Sequence, residues 1–98
     1  MYSIEYKSKT LYSMKIEWVN NKTEIHVDGI YAGYIDRLSE DGWYGRVYYT
    51  DEHDRRTMKS FGVVYGKENM IEEVTTFIED NYDNVRETAA YIHELNKG

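Results

Sequence analysis

The sequence contains no cysteine. A disulfide framework and a cysteine-based zinc site are both excluded, and the chain suits a reducing compartment. Proline is missing too, which is unusual but assigns no function. No run approaches the roughly 20 apolar residues of a membrane span. The start, Met1-Tyr2-Ser3-Ile4-Glu5-Tyr6-Lys7, lacks the basic and apolar regions of a secretory signal. A cytoplasmic protein with no membrane partner is expected. Positive charge is scarce: 12 Lys and Arg stand against 18 Asp and Glu, a balance of −6. Domains that bind nucleic acid are usually basic.

What is present is a chain of 98 residues, 41% apolar, with eleven tyrosines. That length supports one modest core, and Tyr supplies buried area with a polar tip. Tyr12, Met14, Ile16 and Trp18 alternate with Ser13, Lys15 and Glu17, the period of a half-buried strand. This first strand spans Leu11 to Val19, and Asn20-Asn21-Lys22 follows as a turn. Further strands are predicted over Thr23–Asp28, Ile30–Leu38, Trp43–Thr50 and Arg55–Phe61. Asp28-Gly29 is a hairpin signal, because a tight turn requires positive φ. Tyr2 to Tyr6 could add an edge strand. Along the fourth strand, Trp43, Val47 and Tyr49 fall on one face, with Tyr44, Arg46 and Tyr48 on the other.

The period changes after Gly62. Asn69 with Glu72, and Asn84 with Glu87, have capping-box spacing. Ile71, Val74, Phe77, Ile78 and Tyr82 follow helical spacing, as do Val85, Ala89, Ile92 and Leu95. The expected fold is α+β in a single domain over 1–98. An antiparallel β-meander of about five strands fills 1–65, and two short acidic helices, at least one packed on the sheet, fill 66–98.

Charge follows the same division. Residues 1–65 hold nine Lys and Arg against ten Asp and Glu, a balance of −1, whereas residues 66–98 hold three against eight, a balance of −5. On the first helix Glu68, Glu72, Glu73, Glu79 and Asp80 fall opposite the apolar stripe. Asp83, Glu87 and Glu94 continue the acidic character. A solvated outer face explains such a pattern, and so does a ridge that docks on a basic surface of another protein.

Asp51-Glu52-His53-Asp54 is the one compact group with metal-ligand chemistry. It lacks the calcium-loop pattern and reads as a turn. His26, His53 and His93 lie far apart without ligand spacing. Neither a metal nor a cofactor is expected. No nucleophile elbow, phosphate loop or dinucleotide fingerprint occurs, so the expectation is not an enzyme. A nucleic-acid face is the alternative. Tyr44, Arg46 and Tyr48 share one strand face, and Arg55, Arg56 and Lys59 come from the next strand, a combination suited to stacking bases and neutralising phosphates. Cross-strand packing of the same tyrosines is the competing account.

Small, acidic and without a catalytic motif, the chain resembles phage- or mobile-element-encoded proteins that inhibit a host machine by binding it. Three readings follow. The first is a protein-binding module, an inhibitor of that kind acting as a nucleic-acid mimic. The others are a sheet face for single strands and an oligomer-forming accessory protein.

Overall fold

The computed structural model describes residues 14–97. Five strands, β1 (Ile16–Val19), β2 (Glu24–Val27), β3 (Ile30–Arg37), β4 (Gly42–Thr50) and β5 (Arg56–Tyr65), precede two helices, α1 (Lys67–Asp80) and α2 (Tyr82–Lys97). The strands form one antiparallel sheet in chain order, and both helices contact it. The fold is α+β. Residues 11–13 of the first expected strand, Tyr12 among them, and the candidate strand Tyr2–Tyr6 lie outside the described residues. Among the described residues, no helix is long and apolar enough to cross a membrane.

Turn chemistry places the strands. Asp28 (φ 58°) and Gly29 (φ 79°) are both left-handed, the requirement of a two-residue hairpin turn. Asn20, Asn21 and Lys22 are also left-handed, a conformation that Asn tolerates better than most residues. At the third turn the Arg37 guanidinium donates to the carbonyls of Ser39 (3.1 Å) and Glu40 (2.8 Å). Strand β5 runs four residues beyond the expected end at Phe61, because Trp43 and Gly42 pair with Val64 and Tyr65 after a bulge.

Alternation then sorts the side chains. Ile25, Val27, Ala32, Ile35 and Val47 are buried from the sheet, and they meet Met70, Val74, Ile78, Tyr82, Val85 and Ala89 from the helices. Met14, Ile16 and Trp18 are half-buried against this core. The indole N–H of Trp18 donates to the hydroxyl of Thr75 at 3.1 Å. Phe77 packs edge-to-face with Tyr49 and Phe61, with centroids at 5.2 and 5.3 Å.

Neither capping box forms. Strand β5 delivers the chain directly to α1 through Gly66, which stands at the cap position with no side-chain cap bond. Asn69 is already inside the helix, and its amide donates to the Tyr65 carbonyl at 2.9 Å. Asn84 lies in the first turn of α2 but faces the end of β4. Its Oδ1 accepts the Thr50 N–H at 2.9 Å, and its Nδ2 donates to the Thr50 carbonyl at 2.8 Å. The Thr88 hydroxyl, buried, lies 2.7 Å from that of Thr50. A side chain that replaces a strand partner this way holds α2 to the sheet. Asn84→Ala strands both Thr50 backbone groups and is expected to lower stability by about 2 kcal/mol. The urea midpoint reads this, and an unshifted midpoint would mean the two bonds contribute nothing.

Candidate functional site

Helix α1 buries Met70, Val74 and Ile78. At about 100° per residue, the opposite side carries Glu68, Glu72, Glu73, Glu79 and Asp80, and all five are exposed. Among the described residues none of them has an ion-pair partner. The one cation of α1, Lys67, turns away from them. Its amine donates to the Asn21 carbonyl at 2.6 Å and lies 5.3 Å from the Trp43 ring. The 14-residue helix is about 21 Å long, so five exposed carboxylates follow one rigid rod.

Asp83 and Glu87 are exposed on α2, but the Arg86 guanidinium sits 3.9 Å from each of their carboxylates. Glu94 is likewise 3.9 Å from the Lys97 amine. The seven acidic candidates thus divide. Among the described residues, the five on α1 have no ion-pair partner, and the two on α2 share a cation.

Tyr44, Arg46 and Tyr48 lie on the face of β4 opposite the buried Val47. Register pairs Tyr34 with Arg46, Asp36 with Tyr44, and Tyr48 with Met58. His26 meets Tyr31, and Tyr31 meets Tyr48, edge to face at 6.0 and 6.2 Å. Tyr44 meets Tyr34 in the same way at 6.3 Å. Burial, reinforced by Tyr48, Glu24 and Tyr34, pushes the Tyr31 hydroxyl above its ordinary pKa. His26 Nε2 is buried with no hydrogen-bond partner among the described residues, 3.6 Å from a Glu24 carboxylate oxygen.

The expected grouping of cations with these tyrosines is only partly realised. Arg55 belongs to the turn, where its Nε–H donates to Asp51 Oδ2 at 3.0 Å. The same Asp51 carboxylate accepts the backbone N–H groups of His53 and Arg55, both at 2.9 Å. The Arg55 N–H is the first cause holding the Asp51 pKa below its ordinary value. Lys59 pairs in register with the buried Val47 and so points to the helix side. Its amine stands 5.9 Å from the Phe61 ring and 5.8 Å from Phe77. Arg56 stacks its guanidinium on Tyr91 of α2, 3.9 Å from the ring centroid.

Arg46, Tyr48 and Arg56 do come together. With Met58, Ser60 and Ile92 they line an open depression of about 480 Å³. The contribution of Ile92 had no local sign in the sequence, because it lies on the stripe of an ordinary amphipathic helix, whereas Tyr91 is exposed off that stripe and borders the adjacent depression. Tyr31 and Tyr34 are three residues apart, which regular alternation would set on opposite faces, and the bulge between β2 and β3 brings them to one side. Among the described residues, no three His, Asp or Glu side chains gather as a metal site. Compared with protein-family models, curated proteins and solved structures, the chain matches none of them.

Proposed function

We propose that the chain is a non-enzymatic protein-binding module whose acidic α1 face docks on a basic surface of a partner protein. The observation that carries this reading is the row of five exposed carboxylates on α1, none of which forms an ion pair among the described residues. An unpaired row keeps its field for a partner, where a row paired within the chain would spend it internally. Glu68 and Glu72 are about 6 Å apart along the axis, and Glu79 is about 10 Å further on. Negative charge on a stiff rod has the electrostatic form of a phosphate backbone. The partner surface is therefore one built for nucleic acid, and the module is a cytoplasmic inhibitor of the phage or mobile-element type.

Complementary potential acts mainly on the rate of encounter. The variant Glu72→Lys, Glu79→Lys, Asp80→Lys should keep the parent circular dichroism, since exposed changes usually fall within about 0.5 kcal/mol each. Proteins captured by the parent at low salt and released at high salt should escape the variant. With one of them purified, the variant's on-rate at low salt should be lower by about tenfold or more. Equal on-rates would leave α1 a solvated face and end the mimic reading.

A further inference from the structure

We infer that the depression between β4, β5 and α2 is a binding site for one nucleotide. Its base lies on Tyr48 and Met58, and its flanking phosphates are held by Arg46 and Arg56. The inference uses a different surface from the acidic helix and does not depend on it.

Register sets the geometry. Moving along one face of the β4–β5 pair, the cross-strand neighbours are Arg46 with Ser60, Tyr48 with Met58, and Thr50 with Arg56. The two arginines therefore bracket an apolar, aromatic floor, and Ile92 of α2 supplies a side wall. A volume of about 480 Å³ lies within the usual range for small-ligand sites, roughly 300–1,000 Å³. The Tyr48 ring is held by the edge contact with Tyr31 at 6.2 Å, so a flat ligand ring meets a fixed surface.

The charges point the same way. In a chain with 18 carboxylates and 12 Lys and Arg, a free arginine is unexpected. Arg55 and Arg86 are paired with carboxylates, and Arg37 with carbonyls. Arg46 and Arg56 have no carboxylate or carbonyl partner among the described residues. Arg56 is instead fixed by the Tyr91 ring, which orients the guanidinium without neutralising it. Asp54 and Glu87 line the adjacent depression that Arg56 also borders, yet neither forms an ion pair with it. Two guanidiniums left unpaired at the ends of an aromatic floor suit a ligand with anionic groups on both sides of a flat ring. A nucleotide carries that pattern as a free 3′,5′-bisphosphate or within a single strand.

The test is titration of the full chain at low salt, followed by amide and arginine Nε–H NMR. The ligands are inorganic phosphate, adenosine monophosphate, adenosine 3′,5′-bisphosphate and a short oligodeoxyadenylate. The bisphosphate should bind saturably, more tightly than the monophosphate, with shifts centred on residues 46–48 and 56–60. Arg46→Gln and Arg56→Gln should each weaken it by about tenfold or more, the worth of one charge-assisted bond. The Glu72→Lys, Glu79→Lys, Asp80→Lys variant should bind it at least as well as the parent, which separates this site from the acidic helix. Tighter binding of the oligomer at the same residues would support the site and assign its source to a strand. Three results would overturn the inference: no saturable shift, equal affinity for monophosphate and bisphosphate, or binding unchanged in the double Gln variant.

Discussion

Ile78→Ala is expected to destabilise the fold by about 2–5 kcal/mol. Ile78 is fully buried on α1 and is among the largest side chains sealed in the core. Truncation removes its transfer energy and leaves a cavity in the core, into which the surrounding structure relaxes only partly. Total stability for a domain of this size is of order 5–15 kcal/mol, so one substitution takes a large share. Ile71 on the same helix is only half-buried and offers an internal comparison. Denaturant titration of Ile78→Ala and Ile71→Ala should show the first well below the second. Equal midpoints would contradict the orientation of α1, and with it the placement of the carboxylates on the far side.

Gly33→Val should be at least as damaging. Gly33 sits beside the bulge of β3, opposite Val47 on β4. A Cβ built there presses into the carbonyl oxygen of Arg46 and comes within 2.9 Å of Val47 Cα. Both obstacles are backbone, so no rotamer change relieves the contact and the β3–β4 pairing has to open. Overpacking in a core typically costs about 1–3 kcal/mol, and the absence of any yielding neighbour places this case at the upper end or beyond. Gly62 on β5 is the control, since nothing lies within 4 Å of a Cβ built there. Gly62→Val should be neutral or slightly stabilising, as β-branched residues suit strands. Thermal melts of the two variants distinguish a steric requirement at Gly33 from a general intolerance of side chains at strand glycines.

The two surfaces make separable claims about function. The acidic face of α1 acts through its long-range field, so its effect fades with salt and appears in encounter rates. The depression on the sheet acts through contact, and its effect appears at particular side chains. Arg46 belongs to one and Glu72 to the other, and single substitutions address each surface without disturbing its neighbour.

Local periodicity determined much of this protein. Alternation at Ile16, Trp18, Ile25, Val27 and Val47 marked strand faces that the core confirms, because a strand's two faces follow from neighbours two residues apart. Helical spacing at Val74 and Ile78 likewise placed Glu72, Glu79 and Asp80 on the outside of α1, since charge and periodicity in a helix are written within a few residues. Features that depend on register or on distant partners were not legible. Lys59 and Arg56, three residues apart on β5, fall on opposite faces by alternation, but which of the two faces the core is fixed only by the pairing with Val47 and Thr50. Asn69 and Asn84 carried a capping signature, but helix starts depend on where the preceding element ends. Strand β5 ran on to Tyr65, and the end of β4 offered Asn84 two backbone groups that no local rule contains. The depression is of the same kind. Arg46 and Tyr48 from β4, Met58 and Arg56 from β5, and Ile92 from α2 meet only because a sheet and a helix close on one another. A single segment encodes its own period, and the meeting of segments is decided by the tertiary structure.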